Sequence, residues 1–373
     1  MDEKRSALFT IIVITSVIAV FGVADLIQRD RLFSETENRV LAGRPEFTLD
    51  AFLREGYAQK YEAYLSDQFV SRDKWITIKT YMDLLLQEKE VGGVYLGSDG
   101  YLIEKHLPEE YSHVQEAKKI ALLEKLVWEW DAGVMLVPTA DNILSDKLPK
   151  YAPYYDQKQF LEQVAQHVGP EHYVDVYSVL REHAGEEIYY RTDHHWTSLG
   201  AGYGYDAWAQ YTGRRGGRYT AEDMELVAED FLGTLQRKVN LNMAGDDIYY
   251  FPETLKRPLK VTYDLKEEAE TCYEASHLDT KNKYGFFLDD NHAFVEIETE
   301  YQNHKSLFII KDSYANCFVP LLIPHYEKIY VLDLRYFRGR LFEFMEEHEP
   351  KQGMDVLVLY NCIHFLEEFS YVE

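Results

Sequence analysis

Cysteine and positive charge are both in short supply in this chain of 373 residues. Its three cysteines, Cys272, Cys317 and Cys362, are too few and too scattered for a disulfide framework or a metal knot. An odd number leaves at least one thiol free. Lysine and arginine total 39 against 64 aspartates and glutamates, a formal net charge of -25. A phosphate backbone needs a basic surface, so this balance argues against nucleic acid as a partner, and against adhesion of the soluble part to anionic lipid. The acidic residues are spread along helical faces, a pattern of solvation rather than of a binding site. Internal repeats and extended low-complexity segments are also missing.

Long apolar runs are lacking too, with one exception. Met1-Asp2-Glu3-Lys4-Arg5 precedes an uncharged apolar stretch from Ala7 to Ala24, close to the roughly 20 residues that cross a bilayer. Lys4 and Arg5 on the leading side orient such a helix with its N-terminus inside. Gly22-Val23-Ala24 resembles a small-residue cleavage site, but the run exceeds the usual length of a signal-peptide core. The expectation is an uncleaved signal anchor over 1–27, a single-pass cell-membrane protein with its bulk outside the cytoplasm, secreted if the segment is cleaved. Residues 28–90 read as a membrane-proximal helical segment, with Phe52, Tyr57, Tyr61, Tyr64 and Leu65 near helical spacing. Residues 91–373 read as one α/β domain carrying an insertion at about 212–305, a lid or substrate wall.

Chemistry concentrates in two blocks. In Asp193-His194-His195-Trp196, a carboxylate stands beside an imidazole whose tautomer it can fix, as a general base requires. The same cluster also suits a metal. Further on, the apolar run Leu307-Phe308-Ile309-Ile310 stops at Lys311-Asp312-Ser313-Tyr314 and turns helical. That is a strand feeding a turn that presents a hydroxyl near the positive end of a helix. The alternative is that Ser313 merely caps that helix.

Together these blocks resemble the DHHW family, a branch of the SGNH-hydrolase-like proteins related to periplasmic alginate O-acetyltransferases. The resemblance extends to Glu37-Asn38-Arg39, Gly93-Val94-Tyr95-Leu96-Gly97, Val137-Pro138-Thr139 and Val331-Leu332-Asp333-Leu334-Arg335-Tyr336. It implies that Asp193 orients, His195 is the base and Ser313 the nucleophile, without cofactor or metal. It also implies a three-layer fold with a parallel central sheet. The usual SGNH order places the serine first and the histidine last, so the order here implies a circular permutation. Lys328 to Leu332 and Asp355 to Leu359 supply buried-type strands after the serine, and Gly133 to Pro138 and Tyr173 to Val176 supply two more before the histidine.

Asn361, ending the strand at 355–359, stands where those enzymes carry an oxyanion donor; satisfying backbone groups is the competing role. Arg335 is a candidate substrate contact or an ion-pair partner of Asp333. Trp196 is a candidate sugar platform or a core residue. Thirty tyrosines and five tryptophans suit carbohydrate stacking and core packing alike. The expected function is an extracytoplasmic serine acyltransferase that O-acetylates an exported or cell-surface polysaccharide by double displacement. A multi-pass membrane O-acyltransferase is the partner the resemblance implies. A carbohydrate esterase with the same triad, a non-catalytic glycan-binding scaffold and a metal-dependent hydrolase are the alternatives.

Overall fold

The computed structural model describes residues 2–34, 39–54, 56–214, 219–252, 259–348 and 353–372. Glu37 and Asn38 lie outside the described residues. The chain divides into two compact units, one formed by Met1–Glu88 with Arg237–Asn242, the other by Lys89–Gln236 with Met243–Glu373.

The first unit is helical. Helix α1 (Asp2–Ile27) contains the apolar stretch Arg5–Asp25, none of it buried. Helices α2 (Tyr57–Gln68) and α3 (Arg72–Leu85) follow. At the end of α2 the Gln68 amide accepts from Arg31 N and donates to the carbonyls of Arg31 and Ala42, which ties the extended segment after α1 to this helix. Arg237–Asn242 joins through Thr80, whose hydroxyl donates to the Val239 carbonyl at 2.7 Å.

The second unit is built on a seven-stranded sheet. In chain order its strands are β1 (Gly133–Val137), β2 (Leu259–Tyr263), β3 (Glu267–Ala269), β4 (Phe294–Thr299), β5 (Ser306–Lys311), β6 (Lys328–Asp333) and β7 (Met354–Asn361). They stand in the order β3-β2-β4-β6-β5-β7-β1. The last four pair in parallel; the first three add antiparallel to the β6 edge. The sheet is therefore mixed. The region from 212 to 305 supplies this antiparallel half in addition to any wall over the site.

Continuous apolar runs make the parallel half, because both of its faces are covered. On β5, Leu307 and Ile309 point into one core and Phe308 and Ile310 into the other. Helices α4 (His113–Trp130) and α5 (Gln157–Val168) cover the second core with Ile120, Leu123, Phe160 and Val164. Helix α6 (Ser198–Tyr211) covers the first with Ala201, Tyr205 and Trp208. The expected strand at 173–176 shrinks to a single parallel bridge between Tyr173 and Val134. Asp175 accepts from Ser178 N and caps a helix beginning at Val176, which takes the chain off the sheet edge.

Candidate active site

Strand β5 delivers the serine. Its last residues are buried, and Asp312 leaves the strand in an extended conformation with its carboxylate accepting from Tyr314 N at 3.0 Å. Asp312 thereby caps the short 3-10 helix Ser313–Cys317, and Ser313 occupies its first turn with the hydroxyl free for other work. The capping role weighed for Ser313 belongs to its neighbour.

The histidine block lies on a loop pinned from behind. Asp246 accepts from the backbone of Arg191 and Thr192 and from the Thr192 hydroxyl. Trp196 is fully buried, donates its indole N–H to the Tyr314 carbonyl at 2.8 Å and stacks on Phe318. It cannot touch a sugar; its place is packing between the two blocks. Gly233 lets the backbone pass Asp193, since a Cβ there would stand 2.2 Å from Asp193 Cβ.

Across 118 residues of sequence, His195 Nε2 meets Ser313 Oγ at 2.8 Å, and His195 Nδ1 meets Asp193 Oδ1 at 2.6 Å. Asp193 is acceptor to its surroundings as well: its other oxygen takes the backbone N–H and hydroxyl of Thr234. This assigns the proton of His195 to Nδ1 and leaves Nε2 to accept from the serine. Burial opposes the Asp193 charge, yet the neighbouring imidazoles, the His195 N–H and the Thr234 N–H hold the carboxyl well below the usual carboxylate range. His194 points away, with Nδ1 on the Thr234 hydroxyl at 2.8 Å. Burial and the adjacent His195 push its pKa down to about 3, so it is neutral at physiological pH. Asp193, His194 and His195 offer ligand atoms within 4.8 Å of one another. A metal ligated by His195 would take one of its two ring nitrogens, and so displace either the bond to Asp193 or the bond to Ser313.

Three residues that sequence reasoning passed over complete the surroundings. Tyr284, from the 212–305 region, stacks on the His195 ring at 3.9 Å and donates its hydroxyl to the Ser313 carbonyl at 3.0 Å. Asp312 accepts on its second oxygen from the Asn361 backbone, the Asn361 amide and His364 Nδ1, the last at 2.9 Å. Burial disfavours the Asp312 charge, but the His364 N–H, with other neighbours, keeps the carboxyl below its ordinary value. Burial likewise disfavours protonated His364, and Asp312 outweighs it, raising the imidazole. The only advance signal for these contacts was an acidic residue between strand and serine.

Asn361 is engaged at both ends. Its oxygen accepts from His364 N and caps the helix Cys362–Glu368, and its nitrogen donates to Asp312. It braces the serine turn and also lines the cleft beside it. Arg335 grips Asp333 through Nε and an Nη at 2.9 and 2.6 Å, beside buried Lys311 at 3.3 Å from the same carboxylate. That ion-pair cluster holds the guanidinium, the ion-pair role weighed for Arg335. All three cysteines are free and buried, and burial raises Cys317 to about 12, outside the range of a reactive thiolate.

A small cleft of about 20 Å³, room for about one water, adjoins this arrangement. Glu104, His106, Asp141, His194, Asn361 and His364 are among the residues that line it.

The family model described as DHHW protein matches residues 101–332. Among solved structures, a DHHW family protein from Eubacterium siraeum is 24% identical, aligned over 76% of this chain and 98% of that one, with a TM-score of 0.59. Bacillus cereus PatB1, in a structure with a sulfonyl adduct, is 21% identical over 74% of this chain and 98% of its own, with a TM-score of 0.60. These likenesses are of fold. A search of curated proteins finds no match. With its model matching more than half of the chain, including the block Asp193-His194-His195-Trp196, this protein belongs to the DHHW family.

Proposed function

We propose that this protein is an extracytoplasmic serine acyltransferase that O-acetylates an exported or cell-surface polysaccharide. The observation that carries the reading is the hydrogen-bonded chain from Asp193 through His195 to Ser313, with links of 2.6 and 2.8 Å. His195 Nε2 takes the serine proton as Oγ attacks an acyl carbonyl, and Asp193 steadies the imidazolium. The Ser313 N–H, at the positive end of its short helix, is the donor assigned to the developing oxyanion. His195 returns the proton to the leaving group. A sugar hydroxyl then attacks the acyl-enzyme with His195 again as base, and the proton returns to Ser313 Oγ as the C–O bond breaks.

Several supports come from the architecture. Counted from the serine strand, β5, β6, β7 and β1 stand in the spatial order 2-1-3-4, the doubly wound arrangement that places a site at the carboxyl end of the first strand. That order favours reading the chain as a circular permutation of the SGNH sequence of elements. The exposed apolar face of α1 supports a membrane anchor. Its Phe21 ring meets Phe69 and Trp75, aromatic company suited to a membrane–water boundary. A multi-pass membrane O-acyltransferase is the donor partner proposed.

The sulfonyl adduct carried by PatB1 suggests the probe. Phenylmethylsulfonyl fluoride is expected to add one sulfonyl group at Ser313, read by peptide mass spectrometry, and the protein is expected to release 4-nitrophenol from 4-nitrophenyl acetate. Both should vanish in Ser313→Ala; undiminished labelling and turnover in that variant would remove the serine as nucleophile. With oligosaccharide present, acetylated sugar identifies a transferase, free acetate alone an esterase, and neither product a glycan-binding scaffold.

A further inference from the structure

Helix α3 is polar on its inner face and apolar on its outer one. On the inner face the Thr80 hydroxyl donates to the Val239 carbonyl at 2.7 Å, and the Asn240 amide donates to the Thr77 hydroxyl at 2.6 Å and to the Asp73 carbonyl at 3.1 Å. These bonds fix which way the helix is turned. The outer face holds Trp75, Ile78, Met82 and Leu85, each between 43 and 76% exposed. Their spacing gathers them within about 80° of the helix circumference at roughly 3.6 residues per turn. A helix packed in a soluble protein turns such a stripe toward the core, so an outward stripe of large apolar side chains marks a surface that something else covers.

The neighbouring helix indicates the cover. The Trp75 ring stands edge-on to Phe21 of α1, with centroids 5.6 Å apart, and Phe21 also stacks on Phe69 at 5.9 Å. Phe21 lies about 6 Å along the helix axis from the end of the apolar stretch Arg5–Asp25. The stripe on α3 therefore begins beside the end of α1 that leaves the hydrocarbon on the side away from Lys4 and Arg5. Tryptophan is enriched at that depth. Both helices belong to the same compact unit.

Length and charge decide between crossing the bilayer and lying on it. Helix α3 has 14 residues, about 21 Å of helix against a hydrocarbon core of roughly 30 Å. It is too short to span. By helical position Lys74 and Lys79 flank the stripe, one on each side, and such stems lie along apolar surface while the ammonium stays among headgroups. A chain of net charge -25 gains nothing from anionic lipid, so the attachment is by apolar burial.

We propose that the face of α3 formed by Trp75, Ile78, Met82 and Leu85 lies in the extracytoplasmic leaflet of the bilayer that α1 crosses, with the helix parallel to the surface. Its occupant is the acyl-chain boundary of uncharged or zwitterionic phospholipid. The inference rests on the anchor reading of α1 above.

The test uses the full chain, one copy to a phosphatidylcholine nanodisc, carrying a single nitroxide at Ile78→Cys, Met82→Cys, Val17→Cys or Glu162→Cys. The native cysteines are buried and the four labelled positions are exposed, so the label goes where it is sent. Power-saturation electron paramagnetic resonance compares collisions with oxygen, which concentrates in hydrocarbon, against collisions with a water-soluble nickel chelate. The oxygen-to-nickel ratio at 78 and at 82 is expected several-fold above that at 162 and close to that at 17.

A ratio at 78 or 82 no higher than at 162 overturns the proposal, because the face then stands in water. Spin–spin broadening at 78 in discs holding two chains, lost on dilution with unlabelled protein, overturns it as well, since a second copy is then the cover. A label at 17 that reports water sinks the anchor reading and this inference with it, an outcome distinct from water at 78 with hydrocarbon at 17.

Discussion

One position separates a serine whose hydroxyl meets the histidine from a serine that caps. Had Ser313 been the first capping residue, its hydroxyl would have been spent on a backbone N–H; Asp312 does that instead, so the hydroxyl is left to His195. The two blocks of residue types pointed to Asp193, His195 and Ser313, and the structure brings these three side chains into one hydrogen-bonded chain. The parts of Tyr284, Asp312 and His364 were not, since each depends on a contact between segments that no local pattern relates. Asn361, Arg335 and Trp196 show the converse. Each has a side chain fit for substrate, and each is bonded to a neighbour in the structure. The position of the His195 proton also yields an expectation. Asp193→Asn would place an amide where Nδ1–H now donates, favouring the tautomer with its proton on Nε2, where it cannot accept from serine. Acylation by 4-nitrophenyl acetate should fall by about 10³–10⁴-fold, while thermal unfolding moves far less. A rate within tenfold of wild type would show that Asp193 does not set the tautomer.

At the scale of elements, β1, β5, β6 and β7 were readable from short, unbroken apolar runs. The segment Leu259–Tyr263 alternates buried and partly exposed residues and carries a lysine, so its place as an antiparallel member of the same sheet gave no comparable signal. Its register comes from pairing with β4, which is fixed by β6. Connections between elements carry their own pH dependence. His106 follows the strand Leu102–Glu104, and its ring is bonded to Asp141 on the short helix Ala140–Ile143. Burial works against protonation of this histidine, but Asp141 outweighs it and raises the pKa above the ordinary 6.5. A raised histidine stabilises the fold fully below its unfolded pKa and loses that contribution as pH rises through its folded value. Melting temperature should therefore decline across the range above pH 6.5 more steeply in wild type than in His106→Gln. Parallel curves for the two proteins would rule out this bond as a titrating link.

For the whole molecule, the separation of compositions is the main guide. A strongly acidic body follows a helix that is uncharged from Ala7 to Ala24 and holds Lys4 and Arg5 near its start. In a bacterial host the full chain is expected to remain with membranes through an alkaline carbonate wash, and a chain lacking residues 1–27 to leave with the soluble fraction. Recovery of the full chain in the soluble fraction would refute the anchor. The structure divides near residue 88, shortly before the strand Val94–Leu96. The assignment of Arg237–Asn242 to the helical unit had no local signal, because it rests on side chains of Thr77 and Thr80 reaching a segment more than 150 positions away.

The stacking of Tyr284 on His195 has a bearing on assay design. His195, Ser313 and the Tyr284 ring arrive from three stretches of polypeptide, and Tyr284 lies in the chain between the antiparallel strands β3 and β4. A sulfonylated Ser313 would therefore tally finished molecules, and the labelled fraction of a preparation would serve as its active-site titre without any knowledge of the natural donor.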